Sequence, residues 1–379
     1  MYSQSDLNSA VKAGAITEAA ADALRRHVAD QRGAMPADAE HFRLITGFND
    51  IFVSIGVVIM LFAAGAIGME LSREIAWAIA PAGSEFAADA TDKMLRFMRV
   101  DLSLRGLMAG GLLAGTSWLL AEVFTRRRRM ALPSIILLLG FLMGVAGTVG
   151  AGIGGALLYN DPSRVAIGGV VAATGILTAV AAWLHWRRFM VPITIAGGTA
   201  AVAATVIGLL MVALVPENSD GQTTLLSLVF VAGLVVFGLA MRWDMSDTAR
   251  ETRRSDVAFW LHLLAAPMLA HPLFTLIGVT EGDAIGIGGA LAVLAIYLFF
   301  ALVALAIDRR ALLVSALAYV LVALTTLFNT FGVIELNVAL TALVIGSALL
   351  TLSAFWTPIR AKVVDMLPGD MTMRLPATA

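Results

Sequence analysis

Two histidines, His262 and His271, stand in one apolar stretch with Pro267 and Pro272, in a chain that holds only 5 histidines. An imidazole in hydrocarbon is costly without a partner, so each is a candidate for function by default. One metal ion does not suit both. Nine residues of helix turn through about 900° and rise about 13 Å, which puts the rings on opposite faces and at different depths. No cysteine exists and no carboxylate is placed inside a span to complete such a site, so neither a metal nor a cofactor is expected. Separate roles remain open. His262, two residues after Trp260, falls near one interface. His271 falls in the other half of the span, where Pro272 frees carbonyls of the preceding turn for its N–H or for a polar solute. The alternative is a pair of hydrogen-bonded structural histidines.

Other polar groups sit at the edges of apolar runs. Asp50, in Phe48-Asn49-Asp50-Ile51, can pair with a base such as Arg254, gate a cavity, or rest as an interfacial anion. Asn329, Thr330, Glu335 and Asn337 surround a short turn that is polar enough to line a mouth, as many ordinary turns are. Glu122 and Arg126 are spaced for a surface ion pair. Gly150 to Gly155 reads G-x-G-x-x-G, but a dinucleotide site needs that pattern between a strand and a helix; here it lies within an apolar helix. No HExxH, G-x-S-x-G or Walker A pattern occurs, which disfavours an intramembrane hydrolase or a primary pump.

The elements that position these groups are membrane helices. The 379 residues are 59% hydrophobic and 14% charged, far from the balance of a soluble domain. Ten segments have the roughly 20 apolar residues needed to cross hydrocarbon: 51–68, 106–124, 132–156, 165–184, 189–214, 224–241, 257–278, 285–307, 311–328 and 336–356. The expected fold is an all-α polytopic bundle filling residues 47–358. Arg126 to Arg129, Arg187/Arg188, Arg242 to Arg254, Arg309/Arg310 and Arg360/Lys362 fall on one face, which assigns that face and both termini to the cytoplasm. The net charge of −1 and the scattered bases point to the lipid bilayer as partner and away from nucleic acid.

Outside the bundle, residues 1–46 lack the form of a signal peptide and read as a cytoplasmic helical hairpin. Gly14 stops the first helix and Thr17 caps the second. Residues 70–105 read as an external loop with interfacial helices, on the stripes Leu71/Ile75/Ile79 and Leu95/Met98. Residues 359–379 read as a cytoplasmic tail. Basic pairs that open four successive helices suggest a repeated helical hairpin, or the convergence that the positive-inside bias alone produces. Gly106/Gly110, Gly111/Gly115, Gly140/Gly144 and Gly150/Gly154 are small-residue pairs that let helix backbones approach, so the second and third helices are expected to pack tightly.

The hairpin with its Ala13-Gly14-Ala15-Ile16-Thr17 turn, the stretch Phe48-Asn49-Asp50-Ile51-Phe52, and Phe259 to Pro267 resemble proteobacterial inner-membrane proteins of the kind classed as domains of unknown function. The resemblance implies an inner-membrane location and carries no activity or site. The residues themselves favour a permease-like path for a neutral or weakly polar small molecule, lined by the seventh helix. A scaffold or sensor that uses the hairpin to bind a partner is the alternative. A membrane enzyme with histidine acid–base chemistry is the third.

Overall fold

The computed structural model describes residues 10–24, 48–80, 90–157, 163–216, 219–248, 250, 252–276, 278, 287–310, 313, 316–317, 319–321, 323–324, 337–372 and 375. They are helical almost throughout, with no strand among them. The protein is an all-α polytopic bundle; among the described residues eight helices are long and apolar enough to cross a membrane, and a ninth if a bent pair counts as one span. In chain order these are α1 (Phe48–Ile79), α2 (Lys93–Arg127), α3 (Ala131–Leu157), α4 (Arg164–Phe189), α5 (Ile193–Leu214), α6 (Gln222–Met245), α7 (Arg253–Leu276) and α8 (Ile287–Ile307). The bent pair is α9 (Asn337–Ala354) and α10 (Trp356–Asp365), which turn 73° at the break. The ninth expected segment, 311–328, is described at eight positions between Leu313 and Leu324, all helical.

Apolar side chains face outward as well as inward. Phe52, Phe62, Leu119, Val235 and Phe299 are all exposed, as helices solvated by lipid require. The most enclosed span is α7, with 56% of its apolar window buried against 17–44% for the others. It runs as one helix through Pro267 and Pro272, each of which removes one helical hydrogen bond. Leu269, Ala270 and Phe274 of α7 build one core with Ala290, Val293 and Phe300 of α8.

Within 70–105, expected to be an external loop with interfacial helices, both apolar stripes are helical and each belongs to a longer helix. Residues 71–79 are the last turns of α1 and residues 90–105 lead without a break into α2. At 1.5 Å per residue α1 is about 48 Å long, beyond the roughly 30 Å of hydrocarbon. The pairing of the two helices uses small residues. Gly68 is packed so closely that a side chain there would strike the Ala109 backbone; Ser72 and Ala76 are fully buried, while Leu71 and Ile79 stay exposed. Trp77 and Phe97 pack against each other across the extension, tilted by 46° with ring centroids 4.8 Å apart. The expected tail begins inside a helix: residues 356–365 are α10, whose Trp356, Arg360 and Val364 are buried.

The α2–α3 interface follows the glycines. A Cβ at Gly110 would stand 2.6 Å from the Thr148 nitrogen, at Gly144 2.5 Å from the Ala114 nitrogen, at Gly140 2.7 Å from Ser117 Oγ and at Gly155 2.7 Å from the Ser103 nitrogen. A Cβ at Gly106 would meet the Gly152 backbone. Gly111 and Gly115, by contrast, face open space, so that expected pair is not a contact. The residues of the G-x-G-x-x-G match lie inside α3; Gly150 meets Thr174 and Gly155 meets Ser103, which is helix packing.

Four turns join an arriving helix to a departing one at the arginine-rich end. Each holds a non-glycine residue in the left-handed region: Arg129 (φ 54°), Met190 (56°), Arg250 (55°) and Asp308 (58°). A left-handed residue just past a helix end is a common way to close a helix and turn the chain back. Taken by itself, the N-terminal segment forms the expected helix–turn–helix. Gly14 has φ +69°, the Ala15 nitrogen bonds to the Ala10 carbonyl, and the Ala20 nitrogen donates to Thr17 Oγ1 at 3.2 Å.

Candidate functional site

The buried face of α6 runs Gly233, Val236, Ala240, Asp244, so a helical stripe of small and apolar residues ends on a carboxylate. Asp244 is 4% exposed, beside His262 at 0% and Arg309 at 3%. His262 Nε2 donates to Asp244 Oδ2 at 2.9 Å. The guanidinium of Arg309 forks onto the same carboxylate, with Nε donating to Oδ2 at 3.1 Å and Nη2 to Oδ1 at 2.5 Å. Nη2 also reaches the carbonyl and hydroxyl oxygens of Ser255, each at 3.2 Å. One carboxylate therefore ties α6, α7 and the turn after α8.

A second layer covers the first. Asp308 accepts from Arg250 Nη1 at 2.7 Å and from Trp356 Nε1 at 2.7 Å, and Arg360 lies 3.7 Å away. Arg250 also donates to the carbonyls of Ile307 and Asp308, filling acceptors that the end of α8 leaves open. Arg310 lies over the Trp356 ring at 4.7 Å. Burial and the guanidinium of Arg309 pull Arg250 below its ordinary value, and Asp308 and Asp244 oppose them. The start of α7 is fixed by Asp247, whose Oδ2 accepts from the Thr252 nitrogen at 3.0 Å, Thr252 Oγ1 at 2.6 Å and the Ser255 nitrogen at 3.3 Å.

This cluster can lock helices together and hold a proton at a defined atom. Because the carboxylate is acceptor only, the Nε2 of His262 carries a proton, and Nδ1 is left as a buried atom with no hydrogen-bond partner among the described residues. The Phe237 ring lies against it edge-on at 5.3 Å. Taking two charges out of water is expensive, and their attraction repays it only where the geometry is good and the remaining donors are satisfied. The bidentate fork meets that condition.

Of the expected candidates, the described ones stand at separate places. His262 is in the cluster. His271 is on the opposite side of α7, exposed, with Nδ1 hydrogen-bonded to Tyr319 Oη at 2.6 Å. Trp260 is half-buried and packs against Phe259 at 5.3 Å. Asp50 is buried at the start of α1, whose Ser54 hydroxyl donates to the Asp50 carbonyl at 2.7 Å; α1 packs on α2 and α3 rather than beside the His262 cluster. Asn329 lies outside the described residues. Glu122 pairs with Arg126 at 3.2 Å as expected, and also takes a bidentate fork from Arg188 at 2.7 and 3.1 Å, which links α2 to α4.

The premise that no carboxylate is available to the span histidines is corrected by Asp244. It sits three residues past the apolar segment 224–241, one more turn of α6 along the same buried stripe. Arg309 was accounted for by the positive-inside pattern. Spacing alone does not single out a second buried histidine: His185 of α4 bonds through Nδ1 to Thr194 Oγ1 of α5 at 3.2 Å, inside a ring of Trp118, Phe141 and Phe189. The signal for it was its place one turn before Phe189, on the buried face that includes Thr178, Ala181 and Ala182. Compared with family models, curated proteins and solved structures, the chain has no significant match in any of the three, so the site rests on its own geometry.

Proposed function

We propose that this integral membrane protein is a non-catalytic scaffold or sensor whose arginine-rich end is fastened by the Asp244–His262–Arg309 latch. The arginine-rich end faces the cytoplasm of a bacterial inner membrane, where the N-terminal hairpin meets a partner. The observation that carries this reading is closure. The only histidine held by a carboxylate among the described residues has no exposed surface, and the carboxylate is filled by a guanidinium fork and an imidazole. Acid–base catalysis would need a substrate against that ring. The latch binds α6, α7, the end of α8 and, through Trp356, the helix that leads to the C-terminus, so a load on any of them is felt by the rest.

A second reading keeps a specific support. In a permease-like carrier of a neutral or weakly polar small molecule, the same latch would be the inner gate. The partnerless Nδ1 of His262 and the two prolines of α7 suit an element that rearranges. Liposomes separate the two. Reconstituted protein should leave glycerol and erythritol permeability, followed by stopped-flow light scattering, at the level of protein-free vesicles. A several-fold acceleration by the parent, abolished by locking the latch end with a cross-link, would replace the scaffold with the carrier.

A further inference from the structure

On the outer side of the α6–α7 hairpin, away from the latch, a groove of about 450 Å³ is lined by Leu239, Arg242, Trp243, Ser246 and Arg254. The two guanidinium groups are exposed, and neither has an ion-pair partner among the described residues. Four other arginines at the same end are held by carboxylates: Arg188 and Arg126 by Glu122, Arg250 by Asp308 and Arg309 by Asp244. Among the described residues no carboxylate lines the groove, which leaves its two positive charges for something from outside.

The groove continues into a lipid-facing stripe. Val231 (56% exposed), Val235 (67%), Leu239 and Arg242 lie at spacings of four, four and three along α6, which is one helix face. A Cβ at Gly238 would meet nothing within 4 Å, so the surface beside the stripe is open. Arg254 is the second residue of α7, where the first-turn N–H groups and the helix dipole add positive potential. The geometry points to a binding site for an anionic glycerophospholipid. Its phosphodiester lies between Arg242 and Arg254, and an acyl chain follows the Val231–Val235–Leu239 stripe. Guanidinium groups favour phosphate oxygens through charge-assisted, forked hydrogen bonds, and basic pockets between membrane helices suit lipid headgroups. A free phosphate would use the two arginines and leave the stripe without purpose, which is why the lipid is the occupant. The site does not depend on what the latch does.

The test uses the full chain in nanodiscs of phosphatidylglycerol and phosphatidylcholine, released into detergent and read by native mass spectrometry. The parent should retain phosphatidylglycerol in preference to phosphatidylcholine. Arg242→Gln and Arg254→Gln should each weaken retention about fivefold, as expected for one interfacial arginine. The Arg242→Lys/Arg254→Lys protein should keep most of it. Arg128→Gln, an exposed arginine outside the groove, should match the parent and show that folding and bulk charge are not the cause. Equal phosphatidylglycerol retention by parent and both glutamine variants would overturn the proposal. Displacement of the lipid by millimolar glycerol phosphate would also overturn it, in favour of a free-anion site.

Discussion

A histidine inside a membrane bundle must settle two ring nitrogens, and the two in α7 do so differently. His262 gives Nε2 to Asp244 in a closed cluster, whereas His271 bonds to Tyr319 at an exposed position. Substitution by leucine should separate them. His262→Leu removes a partner from a buried carboxylate and should cost about 1–3 kcal/mol, seen as a lower melting temperature in detergent. His271→Leu should cost no more than about 1 kcal/mol, because the Tyr319 hydroxyl can turn to another acceptor or to water at the interface. A larger loss at His271 than at His262 would reverse their assigned roles. The histidines and prolines of α7 are legible in the sequence because they are out of place in an apolar run. The partners were harder to see. Arg309 has the address of an ordinary positive-inside residue, and nothing local in Asp308-Arg309-Arg310 says which arginine turns inward.

At the scale of elements, helix packing was written in small residues and could be read from their spacing. Gly106, Gly110, Gly140 and Gly144 mark the α2–α3 contact because only a missing Cβ lets the backbones meet. Spacing alone does not say which of two adjacent glycines faces the partner. Gly110 is in the contact and Gly111 beside it is open. Gly144→Leu should therefore overpack the hairpin and cost at least about 1–3 kcal/mol, while Gly111→Leu should be nearly neutral. Equal melting temperatures for the two variants would mean that α2 and α3 do not meet at this face. The extension of α1 shows the same limit of spacing. Large apolar residues at 71, 75 and 79 drew attention to one stripe, but Ser72 and Ala76 are the ones that pack.

For the whole molecule, the arginines order the ends of the helices, and α6 offers a simple check. Ser219 and Ser246 lie at its two ends, about 36 Å apart along 24 residues of helix. The chain has no cysteine, so single replacements can be labelled cleanly. A cysteine at Ser219 should react from outside intact cells, and one at Ser246 only after permeabilisation; the opposite pattern would invert the topology. The central claim is that one end of the bundle is closed by a coupled buried charge cluster, and a double-mutant cycle tests it most directly. Asp244→Leu strands a guanidinium that cannot shed its proton and should cost about 3–5 kcal/mol. Arg309→Leu should cost less, because His262 can take a proton beside the remaining carboxylate. The double variant should be more stable than the sum of the two predicts by about 2–3 kcal/mol, read from melting of the purified protein. Additivity within about 0.5 kcal/mol would show that Asp244 and Arg309 do not share a buried site, and the latch would be gone.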